Sequence, residues 1–187
     1  MIKAVLYDAD GVLIHGDHAV AEASRKFNLD PTAMHDFFAV EWDAILAGKA
    51  DVDQKLSQYL ERWGFPGSID DYKKFWFDYE SKQDKQIIDH IQGLRSRGVF
   101  CAVATNQDVH RAEYMLKSMG FEYSFDDLYA SAHLGETKPS QGFFVKVLDK
   151  LPYRPDQIVF WDDKKENVDV ASEVGIRAFH YKDFGSY

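Results

Sequence analysis

The chain has 187 residues, 45% of them hydrophobic, enough to bury a core in one domain or in a domain with a smaller insert. Its formal net charge of −9, with no run of lysines or arginines, argues against nucleic-acid binding, because affinity for a phosphate backbone comes from clustered cations. The single cysteine, Cys101, rules out an intrachain disulfide, no apolar run approaches the roughly 20 residues of a spanning helix, and the short N-terminal apolar run that ends at Asp8 reads as a core strand, not a signal peptide; together these predict a soluble, cytoplasmic protein that does not enter membranes.

In chain order, the first element is the run KAVLY (3–7), predicted as a strand. Residues 19–80 then show no convincing strand and several helical stripes: Phe37, Phe38 and Ile45; Leu56, Tyr59, Leu60 and Trp63; Tyr72, Phe75, Trp76 and Tyr79. Joints are expected at Pro31, at Gly48 and in the FPGS run at 65–68, and the aromatics are expected to form the core of a small helical bundle. After that segment, strands and helices alternate. A stripe of Ile87, Ile88, Ile91 and Leu94 closed by Gly98 precedes the strand VFCAVAT (99–105). The stripe Val109, Ala112, Met115, Leu116 and Met119, stopped by Gly120, precedes DLYAS (127–131). Phe143, Phe144, Val147, Leu148 and Leu151 precede QIVFW (157–161), and Val168, Ala171 and Val174, stopped by Gly175, precede IRAFHY (176–181). Short β-branched runs of this kind are expected to be buried on both faces. The pattern predicts a doubly wound, mainly parallel α/β sheet built from residues 1–16 and 83–187, with a helical unit at 17–82 inserted after the first strand.

In an open α/β sheet, ligands bind beyond the carboxyl ends of the strands. The first predicted strand ends in Asp8 and Asp10, the second in Thr105, Asn106 and Gln107. Lys138 follows the third within LGETKPS, and Asp162 and Asp163 follow the fourth, with Asn167 one helical turn on. Several carboxylates at one edge will not all stay ionised unless a cation neutralises them. Oxygen donors without a His or Cys cluster suit a hard ion, best Mg²⁺ with substrate phosphate completing its shell. Lys138 adds a second positive charge and Thr105 a hydroxyl, which makes a cradle for a phosphoryl group. A carboxylate can attack phosphorus as a nucleophile, and a second acid two residues on, pointing the same way because strand side chains alternate, can protonate the leaving oxygen. Asp8 and Asp10 read as that pair.

Four segments, DADGVL (8–13), TN (105–106), KP (138–139) and DDKKEN (162–167), occur in the order found in the haloacid dehalogenase superfamily, which the chain resembles along its whole length. The resemblance implies a Rossmann-like core with a helical cap between the first and second motifs. It implies that Asp8 is the nucleophile and a Mg²⁺ ligand. Asp10 is then the acid and later the base that activates water, with its backbone carbonyl on the metal. Thr105 and Lys138 hold the phosphoryl oxygens, with Asn106 a weaker carry-over; Asp162 ligates the metal, and Asp163 does so directly or through water. The stretch from Gly11 to about Asp17 would be the turn and flap that gate the site. Ala9 departs mildly from the larger apolar residue common there. The dehalogenating members lack the second aspartate, so Asp10 points to phosphate chemistry.

The expectation is a Mg²⁺-dependent phosphatase acting on a small phosphorylated metabolite through an aspartyl-phosphate. A sugar phosphate fits that description, although the cap sequence does not name it. A phosphomutase of the same fold is the runner-up, since the motifs do not separate the two. A phospho-accepting receiver carries similar residues in a different order, and a non-catalytic binding protein would have no need of every catalytic position. Monomer and homodimer both remain open.

Overall fold

Five of the apolar runs are strands. In the computed structural model, which describes residues 1–187 apart from the side chain of Ser186, they are β1 (Ala4–Tyr7), β2 (Phe100–Thr105), β3 (Asp127–Ala130), β4 (Ile158–Asp162) and β5 (Arg177–His180). They form one sheet in the order β3-β2-β1-β4-β5, and every pairing is parallel. The helices are α1 (Ala19–Phe27), α2 (Pro31–Leu46), α3 (Val52–Trp63), α4 (Ile69–Tyr79), α5 (Lys85–Arg95), α6 (Val109–Lys117), the single turns α7 (Phe121–Ser124) and α8 (Ser131–Leu134), α9 (Gln141–Leu148) and α10 (Lys165–Glu173).

Period-2 alternation splits the central strands between two cores. Val5, Tyr7, Cys101 and Val103 face α5 and α6 through Ile87, Ile91, Ala112 and Met115. Ala4, Leu6, Ala102, Ala104 and Phe160 face α9 and α10 through Phe143, Phe144, Val147 and Ala171. The doubly wound α/β architecture read from the sequence is therefore the one present. One expectation fails at its rim. β5 is not buried on both faces, because it pairs only with β4 at the sheet edge; Phe179 is 46% exposed and stacks on Trp161 at 5.0 Å. The turns α7 and α8, too short to show a period, were not foreseen.

Helices α1–α4 lie between β1 and α5 and share a separate core of Phe37, Leu56, Tyr59, Trp63, Tyr72 and Trp76. Their ends follow local chemistry. Asp30 caps α2 by accepting from Thr32 N at 2.9 Å, with Pro31 in the first turn where its missing N–H costs nothing. Ser68 and Asp71 close a reciprocal box at the start of α4. The chain enters and leaves this unit through two segments that pair with each other: His15 N donates to Lys82 O and Asp84 N to Leu13 O, both at 2.9 Å, and Ile14 bridges Gln83 antiparallel.

Gly48, between α2 and α3, has φ +65°, and a Cβ there would lie 2.2 Å from the carbonyl oxygen of Ala132 in α8. The helical unit thus touches the sheet domain at a point where only glycine fits. Gly48→Ala is expected to destabilise the protein by about 2 kcal/mol through the left-handed backbone and the clash together. Thermal unfolding should show this as a fall of roughly 4–8 °C in Tm; an unchanged Tm would mean that this contact is not made in solution.

Candidate active site

The register of the sheet places the first acids. Tyr7 pairs with Trp161, so the next residues, Asp8 and Asp162, emerge side by side from neighbouring strands, tied by Asp8 N donating to Trp161 O at 2.8 Å. Lys138 sits between them. Its Nζ lies 2.8 Å from Asp8 Oδ1 and 2.6 Å from Asp162 Oδ2, with both carboxylates and the ammonium almost wholly buried. Burial alone would push Lys138 down, but Asp8 and Asp162 outweigh it and hold the ammonium above its ordinary range. Asp8 is pushed up to about 7, first by desolvation, then by the charges of Asp162 and Asp10, with Lys138 opposing. Ala9 N donates to Asp8 Oδ1 at 2.7 Å, which fixes the carboxylate and leaves Oδ2 turned to other partners.

Asp10 reaches the same cavity by a route different from the one foreseen. β1 has ended at Tyr7, and residues 9–14 fold into a tight turn in which Leu13 N and Ile14 N both donate to Ala9 O, while Gly11 N donates to Ile14 O. The turn, not strand alternation, carries Asp10 back over the site, and Gln107 Nε2 holds its Oδ2 at 2.6 Å. Gln107 was noticed at the end of β2 but given no role.

Thr105, the last residue of β2, is buried and lines the cavity. Asn106 has another occupation than the phosphate contact carried over to it: its side-chain amide donates to Lys138 O and accepts from Lys138 N, both at 2.8 Å. This two-way clasp holds the loop that delivers Lys138. The two acids after β4 also divide. Asp162 accepts from Lys138 Nζ, from Lys164 N at 2.8 Å, and from Asn167 Nδ2, which lies 2.9 Å from both oxygens, so each of its oxygens is hydrogen-bonded. Asp163 Oδ1 is buried with no hydrogen-bond partner. Burial and the charge of Asp162 raise the Asp163 carboxyl. Asp163 does not cap α10, whose N-cap is Lys164.

Oxygens of Asp8, Asp162 and Asp163 lie within 4.8 Å of one another. An all-carboxylate set with one orphaned buried oxygen, in a place where Asp162 raises the proton affinity of both Asp8 and Asp163, is the donor chemistry of a hard divalent cation. The residues fit such an ion. Gly11 makes room for it: with φ +82°, a Cβ there would stand 2.5 Å from Asp163 Oδ2. Except for Asp162, which lies beneath them, these groups open on one cavity of about 660 Å³ that continues between α1, α2 and α4. Two further residues close its flank. Arg111 of α6, buried, donates from Nη1 to Phe77 O at 2.8 Å and from Nη2 to Glu80 O, joining the sheet domain to the end of α4. Glu80 Oε1 accepts from Ala19 N at 2.7 Å. Neither shows in the sequence, because a lone Arg and a lone Glu on helical segments look like solvated charges.

The parallel sheet, the insert after β1 and the acids at the strand ends define a doubly wound α/β protein with an acidic site at the carboxyl edge of its sheet and an inserted helical unit. A model of the haloacid dehalogenase-like hydrolases matches residues 2–175, and the chain belongs to that family. It is 28% identical over 185 residues to the sesquiterpene phosphatase astK of Aspergillus oryzae, covering 97% of this chain and 90% of that one. It is 27% identical over 188 residues to the D-ribitol-5-phosphate phosphatase of Bacteroides thetaiotaomicron, covering 96% and 91%. A HAD family enzyme from Bacteroides thetaiotaomicron, solved in complex with magnesium and inorganic phosphate, superposes with a TM-score of 0.84 at 21% identity, covering 98% of each chain; that likeness is one of fold. No helix among the described residues is long and apolar enough to cross a membrane.

Two outcomes are expected. A cation on Asp8 competes with its proton, so affinity falls as pH drops through about 7. Calorimetric Mg²⁺ titrations should show binding about tenfold weaker at pH 6 than at pH 8 if one proton is displaced; a pH-independent affinity would remove Asp8 from the ligand set. Gly11→Ala should weaken Mg²⁺ binding roughly 10- to 100-fold by driving Asp163 aside, and an unaltered isotherm would show that Asp163 is not a ligand.

Proposed function

We propose that this chain is a Mg²⁺-dependent phosphatase of small phosphomonoesters that works through an aspartyl-phosphate on Asp8. The single observation that carries the reading is the buried Asp8–Lys138–Asp162 bridge, which holds one carboxylate rigidly at the mouth of β1 beside two further acids. Relatives whose names specify a sesquiterpene phosphatase and a D-ribitol-5-phosphate phosphatase support the reaction class and leave the alcohol open.

In this reading Asp8, Asp162 and the backbone carbonyl of Asp10 would hold the cation, with Asp163 ligating it directly or through water. When bound, the cation supplies positive charge to the phosphoryl oxygens. Lys138 and Thr105 add an ammonium and a hydroxyl at the same group, and Asn106 positions Lys138 through its backbone clasp. Asp8 Oδ2 attacks phosphorus in line with the ester oxygen. The P–O bond to the alcohol breaks as Asp10 gives its proton to the departing oxygen. Asp10, now a carboxylate held by Gln107, takes a proton from water. That water attacks the aspartyl-phosphate, the bond to Asp8 breaks, and inorganic phosphate leaves. Residues 17–82 act as a cap that covers the cavity, with the turn from Gly11 to about Asp17 as its moving edge.

Asp8→Asn is expected to abolish phosphate release from phenyl phosphate, a loss of at least about 10⁴-fold. Asp10→Asn should lose on the order of 10²- to 10⁴-fold and, with an activated ester such as p-nitrophenyl phosphate, should accumulate phosphate on Asp8, which mass spectrometry reads directly. Release surviving in Asp8→Asn would overturn the assignment. Phosphate returned to the substrate only in the presence of a bisphosphate would make the chain a mutase.

A further inference from the structure

The cavity does not end at the acids. Beyond them it runs between α1, α2 and α4, and its wall there is mostly hydrocarbon, Val20, Phe38, Trp42, Leu46 and Trp76, with His35 of α2 beside them. α2 is apolar on two faces. Met34, Phe37 and Ile45 point into the core of the helical unit. Phe38, Trp42 and Leu46, spaced four residues apart, line the cavity, with Phe38 and Trp42 also packed sideways against that core. A surface helix needs one apolar face to pack, so a second one calls for another occupant. The rings make a continuous wall, with Phe38 and Trp42 centroids 5.3 Å apart, Phe38 and Trp76 5.6 Å, and Trp42 and Trp76 5.4 Å.

The polar groups in this part of the cavity are poorly placed to serve a hydroxylated substrate. Glu80 at the end of α4 is already taken by Ala19 N, with His18 Nδ1 3.7 Å from its Oε1, Arg111 is spent on the carbonyls of Phe77 and Glu80, and His15 is paired with Asp84, which leaves Asp17 and His35 as the other polar side chains of this lining. A polyol would leave hydroxyls unpaired against three rings, which costs free energy at each. A hydrocarbon would gain at each methylene or ring carbon buried.

We propose that the alcohol released by this enzyme is a hydrocarbon alcohol, chain or ring, and that Phe38, Trp42, Leu46 and Trp76 select for it. The proposal rests on the phosphatase reading above and specifies its substrate class. The reacting atoms are the same: the ester P–O bond breaks, Asp10 protonates the departing oxygen, and the free alcohol is apolar.

The test is inorganic phosphate release, with Mg²⁺, from n-alkyl phosphates of two to eight carbons beside glycerol phosphate and ribitol phosphate. Non-hydrolysable n-alkylphosphonates titrated calorimetrically give a binding readout independent of turnover. kcat/KM is expected to rise by about threefold per methylene until the cavity is full, and phosphonate affinity to rise in parallel. Leu46→Gln and Trp42→Gln should each reduce the octyl-to-ethyl ratio by about tenfold or more; the ratio within one variant cancels any general loss of folded enzyme, and either variant suffices if the other fails to fold. A flat alkyl series, or a preference for ribitol phosphate, would overturn the proposal and leave the phosphatase reading intact. No release from any ester, with phosphonate affinity still climbing with chain length, would overturn the hydrolytic reading and retain the apolar selection.

Discussion

The contact on which the rest depends is the buried ammonium of Lys138 between Asp8 and Asp162. Two carboxylates emerging from adjacent strands at the same level would repel in a medium of low dielectric, and one of them would have to keep its proton. A single lysine, brought in by the loop after α8 and clasped by Asn106, makes that register tolerable. Removing one partner of such a buried bridge would leave an uncompensated charge, which costs about 3–5 kcal/mol. The bridge therefore links catalysis to folding: what aims Asp8 is also what lets β1 and β4 lie next to each other with acids at both ends.

The fold was largely legible because its signals are periodic. Alternating burial in Val5 and Tyr7 against Ala4 and Leu6, and stripes such as Phe143, Phe144 and Val147, need no knowledge of distant residues. β5 was misjudged in its burial, because the sequence IRAFHY does not tell an edge strand from a central one. In the candidate site, the acids and Lys138 were legible as polar residues just past apolar runs. Their division of labour was not. Asp162 and Asp163 are neighbours of the same type, and only the hydrogen bonds from Lys138, Lys164 and Asn167 show that the first is held on both oxygens while the second keeps an orphaned one. Gln107 and Arg111 were invisible as partners, since the contacts that give them meaning, to Asp10 and to the carbonyls of Phe77 and Glu80, join residues roughly 30 to 100 positions apart.

The aromatic residues of the helical unit illustrate a different limit. Periodicity correctly groups Phe37, Tyr59, Trp63 and Tyr72 as bundle core. The first of the helical stripes contains Phe38, and Trp42 lies one turn on; both border that core and the cavity. A residue that packs sideways against a core and lengthwise against a ligand carries one sequence signature for two tasks, and only the position of the acids below it separates them.

The antiparallel bridge between Ile14 and Gln83 has one more consequence. It brings the entrance and the exit of a segment of nearly seventy residues to the same point, so the sheet domain could be closed across them by a short turn without moving β1 or α5. The molecule is in that sense divisible. On the proposed reading, the half that would break the bond and the half that would recognise the alcohol could be exchanged separately, and a lineage could change its diet by replacing the four helices while leaving every acid where it stands.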